Sequence, residues 1–309
     1  MAINDLEKQW QRLIDMSLNY AAVLGCPRSG TTFLMSCLNA LPYTECLSGI
    51  SFPVPVIHLI ATQKFTNISQ KCMDYALEST LNVYLDAYSG SRAKAIQHFV
   101  CGSLTLKELR EIFQRNHQIK RIVYKEPFFS FTPEFVYRAL PECKIIYLIR
   151  DGRDCANSLV KSYGSLTDEK LGSHRTSESP LGYFCKDRYI PWWVDSNEAD
   201  EFIQASEYVR SIWMWKEMVK RCDDFFSKRD VTLGSRVLQI KYEELVTQPI
   251  VTGQKITDFL DVDFDKRFIK RLQKASPSSI GKYKSRDQSE IDSAEKVARS
   301  ELKTYGYIN

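Results

Sequence analysis

Long apolar runs are missing from the start of this 309-residue chain. MAINDLEKQWQRLIDM carries acidic and basic side chains throughout, which excludes a signal peptide or membrane span there and predicts a soluble, cytoplasmic protein with no membrane partner. Leu6, Trp10, Leu13 and Ile14 fall near helical spacing and predict a short amphipathic helix on the body. Paired cysteines are missing too: the nine cysteines stand singly with no CxxC, so neither a zinc site nor a disulfide framework is indicated and reduced thiols are expected. Histidine is scarce, at four residues, and no metal-ligand cluster can be read from the pattern, so no metal is expected. A strong charge of one sign is also lacking. Forty-two basic against 38 acidic residues leave a net charge of +4, which suits an anionic ligand but falls short of a nucleic-acid-binding surface. No internal repeat or low-complexity tract occurs. With 44% hydrophobic and 26% charged residues, the composition predicts one large domain over 1–309.

What is present is an alternation of strand and helix signals that predicts an α/β fold, a central parallel sheet flanked by helices. Apolar runs at Tyr20 to Leu24, Arg121 to Tyr124, Lys144 to Ile149 and Val237 to Ile240 read as strands. Phe33 to Leu41 and Asp154 to Tyr163 read as helices after the first and third of these. Residues 43–118 carry helical patterns, at Met73 to Tyr88 and Leu104 to Asn116, with no clear strand. Residues 164–200 are rich in small and charged residues but include Tyr183, Phe184, Tyr189, Trp192 and Trp193. A stretch that long is either a functional lid with an aromatic lining or an ordered surface insert. Phe202 to Arg229 predicts one long helix, with Trp213 and Trp215 in the core. The helical and loop inserts are expected to form an acceptor site.

The sharpest local signal is Gly25-Cys26-Pro27-Arg28-Ser29-Gly30-Thr31-Thr32, directly after a strand and opening a helix. Such a loop aims backbone N–H groups and a helix's positive end at one anionic site. Its spacing is that of a nucleotide-triphosphatase loop, but Thr31 stands where that motif needs lysine, so the grip on β- and γ-phosphates is absent. Arg28 supplies a forked cation earlier in the loop.

Pro27 to Thr32 resembles the 5′-phosphosulfate loop of sulfotransferases that use 3′-phosphoadenosine-5′-phosphosulfate (PAPS), in the arginine form of bacterial and tyrosylprotein members. Ile149-Arg150-Asp151-Gly152-Arg153, with Ser158 eight residues after Arg150, resembles the family's 3′-phosphate motif. Tyr124-Lys125-Glu126-Pro127 resembles its K-x-P segment. The resemblance spans residues 20 to about 285 in ordered anchors and implies a P-loop-type sheet, PAPS as cofactor and adenosine 3′,5′-bisphosphate (PAP) as product. It implies further that Arg28, Ser29, Gly30, Thr31 and Thr32 hold the phosphosulfate, that Arg150 and Ser158 grip the 3′-phosphate, and that Lys125 approaches the bridging oxygen. Tyr242, in Leu238 to Leu245, corresponds to a tyrosine near the adenine, the other reading being a ring packed on the sheet edge. Lys282, in Ser278 to Tyr283, corresponds to a loop closing over the 3′-phosphate, the other reading being a basic surface loop.

The resemblance implies in-line transfer of a sulfuryl group to a hydroxyl or nitrogen, with Arg28 and Lys125 stabilising the developing charge. The family's bases are displaced: Pro127 occupies the position of the histidine of cytosolic animal enzymes, and Gly49 that of the glutamate of tyrosylprotein enzymes. Glu45, His58, His98 and Glu126 are the nearby substitutes, His58 ranked first and Glu45 second, with an already nucleophilic acceptor as the alternative. The expected partner is a small-molecule acceptor in natural-product tailoring, compact and cationic or ring-containing. Two other readings are a magnesium-dependent phosphotransferase and a cofactor-binding module without catalysis.

Overall fold

The computed structural model describes residues 18–48, 54–62, 66–87, 119–140, 142–173, 182–228 and 234–309, with parts of 96–110. The amphipathic N-terminal segment, His98 and most of Leu104 to Asn116 lie outside the described residues. Five strands, β1 (Asn19–Leu24), β2 (Thr44–Ser48), β3 (Arg121–Lys125), β4 (Lys144–Ile149) and β7 (Val237–Lys241), form a parallel sheet in the order β2-β3-β1-β4-β7. Two short strands, β5 (Gly182–Cys185) and β6 (Arg188–Pro191), pair as an antiparallel hairpin apart from it.

Period-two alternation divides the strand side chains between two apolar layers. Ala22, Leu24, Ile122, Tyr124, Ile145 and Tyr147 enter one core; Ala21, Val23, Val123, Ile146, Leu148 and Ile240 enter the other. The first layer is covered by α4 (Pro133–Ala139), α5 (Gly152–Tyr163) and α8 (Glu207–Phe226), the second by α1 (Thr31–Leu38), α9 (Tyr242–Thr247), α10 (Pro249–Leu260) and α11 (Lys266–Leu272). Trp213 and Trp215 are buried in the first layer, as the sequence predicts.

Two sequence expectations are corrected. Residues 43–118 do contain a strand, β2, which pairs on one side only and carries buried Thr44 and Glu45 in place of an apolar run. The helix expected over Phe202 to Arg229 is broken into α7 (Ala199–Gln204) and α8, because Ser206 in extended conformation caps α8 by accepting from the Val209 N–H at 3.4 Å.

β1 leads to β2 and β3 on one side, while β4 lies on its other side, so the connections reverse between β1 and β4. In an open parallel sheet this is where a crevice forms at the strands' carboxyl ends. The loop after β1 and Arg150 after β4 stand on either side of it.

Candidate active site

Gly25 leaves β1 at φ +148°, where an added Cβ would lie 2.4 Å from the Leu148 carbonyl oxygen, so only glycine lets the loop pass β4. Its N–H is held by buried Ser130 Oγ at 2.9 Å, which ties the loop to the 3₁₀ turn Pro127–Phe131 after β3. Gly30 caps α1 at φ +94°, and a Cβ there would strike the Tyr242 ring at 2.3 Å. No side chain caps α1 and no acidic residue stands in its first turn, so its leading amides face the crevice with the helix's positive end behind them. Between the glycines, Arg28 takes the left-handed conformation at φ 72°, uncommon for a side chain of its size.

A polar cavity of about 430 Å³ opens at this point. Arg28, Gly30, Thr31, Thr32, Lys125, Arg150, Ser158, Tyr242 and Lys282 all line it, so nine of the residues named from the sequence meet here. Arg28 Nε donates to Ser158 Oγ at 2.9 Å, and its guanidinium lies 5.5 Å from the Tyr163 ring centroid. Lys125, at the end of β3, reaches Thr32 Oγ1 at 3.5 Å.

Arg150 is 6% exposed. It donates to the Arg28 carbonyl at 2.9 Å and the Ser279 carbonyl at 2.7 Å, and stacks 4.6 Å from the Tyr242 ring centroid. Its Nε is buried with no partner, a donor that costs free energy unless an acceptor arrives. This orphaned donor, the uncapped α1 terminus and the surrounding cations fit a ligand with two anionic ends.

The other described candidates lie elsewhere. Ser29 is buried beneath the loop, with its hydroxyl 3.5 Å from Cys155 Sγ. Glu45 is buried in β2, three residues before Ser48, which is the residue in register with Lys125; at the rise of a strand that sets it about 10 Å back from the carboxyl edge. His58, in α2 (Val54–Thr62), sits 5.2 Å from the Trp192 ring, and burial lowers its pKa. Neither borders the polar cavity. Glu126, next to Lys125, spends Oε1 on the Phe128 N–H at 3.1 Å; burial raises its pKa.

The structure adds residues that the sequence reading passed over. Asp154, Asn157, Lys161 and Tyr163 border the cavity from α5, as Ser158 does. Asp154 is 2% exposed and accepts from the Gly281 N–H at 2.7 Å and the Tyr283 N–H at 3.0 Å, pinning the loop that carries Lys282. Tyr242 Oη and Ser279 Oγ, 2.7 Å apart, hold the same loop from the other side. A helical reading outward from Ser158 would reach Asp154 four residues back and Lys161 three residues on.

A second cavity, of about 620 Å³, adjoins the first through Pro27, Pro127 and Tyr163, which border both. Its walls are Phe128, Leu159, Leu166, Tyr189, Trp192, Trp193 and Met214. Of the aromatics between 183 and 193, Tyr189, Trp192 and Trp193 line it. Tyr183 instead donates its hydroxyl to the Val194 carbonyl at 3.1 Å, and Phe184 is exposed. No described helix is long and apolar enough to cross a membrane, and no His/Cys/Asp/Glu group suited to a metal ion occurs among the described residues.

Protein-tyrosine sulfotransferase A of Caenorhabditis elegans is 21% identical over 249 residues, 81% of this chain and 51% of that protein, so the chain spans about half the length of this curated relative. Among solved structures, the sulfotransferase domain from the Synechococcus PCC 7002 olefin synthase is 16% identical with a TM-score of 0.49, covering 92% of this chain and 95% of that one. Mouse sulfotransferase SULT7A1 complexed with PAP is 15% identical with a TM-score of 0.44, over 92% and 85%. A model of the sulfotransferase family matches residues 21–266, a stretch that runs from β1 past β7 and takes in Arg28, Lys125, Arg150, Ser158 and Tyr242; the chain belongs to the sulfotransferase family.

Proposed function

We propose that this chain is a cytoplasmic sulfotransferase that moves a sulfuryl group from PAPS to a hydroxyl or nitrogen of a small natural-product acceptor and releases PAP. The observation that carries the reading is the orphaned, buried Nε of Arg150 in a cavity that also gathers Arg28, Lys125 and Ser158. PAPS brings an activated sulfuryl group whose transfer leaves negative charge on the bridging oxygen. A ligand with a 5′-phosphosulfate and a 3′-phosphate needs two anion sites. The α1 terminus with Arg28 supports one, and Arg150 with Ser158 and Lys282 supports the other.

Arg28 gives its Nε to Ser158 and keeps its terminal nitrogens for anionic oxygens. Lys125, beside Thr32 at the mouth of the loop, is assigned to the charge that grows as the sulfuryl bond breaks. Tyr242 supports the loop and Arg150 from below. Ser29 is assigned to the loop's packing, and the reading gives His58 and Glu45 no proton-transfer role, because neither borders the cavity.

Calorimetric titration with PAP, and separately with ATP and magnesium, tests the proposal. Micromolar or tighter binding of PAP that is lost in Arg150→Ala is the expected result. Binding of ATP with magnesium but not of PAP would overturn it in favour of a phosphotransferase.

A further inference from the structure

The apolar cavity beside the cofactor cavity points to a particular acceptor. We infer that it takes a flat, ring-bearing hydroxyl compound that is neutral or anionic, and selects against cations; this rests on the proposed function.

The walls give the shape. Phe131 stands 4.9 Å from the Trp192 ring and stacks on Trp193 at 6.1 Å and 16°, so the two indoles are held by a ring behind them. Trp193 is also braced edge-on by Phe202 at 5.7 Å. Rings fixed in this way offer flat, rigid surfaces, which favour a planar ligand over a flexible chain. A volume of about 620 Å³ lies inside the usual range for small-molecule sites, roughly 300–1,000 Å³, and leaves room for more than one fused ring.

The charges give the sign. Lys170, in α6 (Asp168–Ser173), is the only charged residue among the described lining of this cavity. The cations across the shared wall, Arg28, Lys125 and Lys161, face the cofactor's anionic groups on the proposed function, so the charge that meets the acceptor is that of Lys170. The one carboxylate of the polar cavity, Asp154, accepts the Gly281 and Tyr283 amides and is paired with Arg150 at 3.9 Å. A cationic acceptor would therefore meet the Lys170 ammonium with no carboxylate among the described lining residues of this cavity, whereas a carboxylate or an ionising phenol would be favoured. This departs from the cationic option drawn from the aromatic residues alone: rings by themselves suit a cation, but rings whose one charged neighbour in the described lining is a lysine do not.

The test uses the full chain saturated with PAP, with PAP affinity measured first by calorimetry. Quenching of tryptophan fluorescence then reports binding of naphthol, octanol, hydroxyphenylpropionate and tyramine. Naphthol is expected to bind more tightly than octanol, and hydroxyphenylpropionate more tightly than tyramine. Lys170→Glu is expected to shift the ratio of the last two by about tenfold toward tyramine while PAP affinity stays the same. Trp192→Ala is expected to weaken naphthol, with PAP affinity serving as the check on folding. If PAP binds but tyramine is preferred, or octanol equals naphthol, or no ring compound binds, or Lys170→Glu leaves the ratio unchanged, the inference fails and the sulfotransferase reading stands. If PAP itself does not bind, it is the proposed function that fails.

Discussion

Asp154 is the one carboxylate in a cavity that also gathers Arg28, Lys125, Arg150, Lys161 and Lys282, and two hydrogen bonds with an ion pair to Arg150 at 3.9 Å explain how it can be there. Each oxygen accepts a backbone N–H of the loop that carries Lys282, and the buried Arg150 guanidinium balances the charge, so Asp154 holds that loop without standing as an unpaired anion beside a phosphate. An asparagine at this position can accept one of the two amides but presents its own NH₂ to the other, and a mismatched buried pair costs about 1–3 kcal/mol. Asp154→Asn is therefore expected to weaken PAP about tenfold or more while changing adenosine 5′-monophosphate much less. Calorimetry with both ligands checks this, and equal losses would mean that Asp154 acts on the fold alone. Gly30→Ala is expected to abolish PAP binding, since its Cβ would enter the Tyr242 ring and its φ of +94° is unsuited to a side chain. At this scale the sequence was informative where a loop or helix sets the spacing, as with Arg28, Arg150 and Ser158. It was silent on the tertiary meeting of Asp154 with Gly281 and Tyr283, residues more than a hundred positions away. The two first-ranked bases failed to reach the cavity for related reasons: Glu45 lies too early in a strand whose existence was not legible, and His58 faces an indole from an insert.

Secondary-structure elements were legible where the strand reads as an apolar run. β1, β3 and β4 do so because they are paired on both edges and packed on both faces, and the edge strand β7 does so through Val237, Leu238 and Ile240. β2 pairs on one edge only, and its sequence TECLS has no such run. The break between α7 and α8 follows from one capping serine inside an otherwise helical pattern. α8 also anchors the chain's end: Asp223 accepts a short hydrogen bond from the Tyr305 hydroxyl, just beyond α13 (Arg299–Thr304). Burial raises the Asp223 carboxyl to about 6, against about 3.9 for an unfolded aspartate. Because the folded value is the higher one, the folded state holds the proton more tightly. The stabilising contribution is complete below the unfolded value and is lost as pH rises through about 6. Asp223→Asn removes the titration, so the melting temperature of the parent relative to this variant is expected to fall between about pH 4 and pH 6. Scanning calorimetry at those two values would expose a flat difference if the reading is wrong.

For the whole molecule, the C-terminal segment closes back on the site. Arg153, which immediately precedes the cavity-lining Asp154 in α5, pairs with Asp151 at 2.7 Å and Glu295 at 2.5 Å and donates to the Tyr307 carbonyl at 2.9 Å. Lys241, at the end of β7, donates to the Tyr305 carbonyl at 2.6 Å. Removing residues 299–309 is thus expected to lower both the melting temperature and PAP affinity, although none of them lines the cavity. A second expectation follows from the charge balance of the two cavities: raising salt from about 0.05 to 0.5 M should weaken PAP strongly and naphthol little, as screening acts on charge and not on apolar contact. This whole-molecule level was the least legible in advance, since a cavity walled by β6, α5, α6 and α8 exists only once those elements meet.

The junction between the cavities is formed by Pro27, Pro127 and Tyr163. A proline has no amide hydrogen, so two of these three residues offer a passing water no backbone donor, while the indoles beyond them offer an apolar wall. On the proposed function, the activated group would cross a collar that is poor at ordering water, and the competing reaction, hydrolysis of the donor, would lack a positioned nucleophile. Thrift follows from the rings of two imino acids: without an acceptor, the protein should consume PAPS slowly.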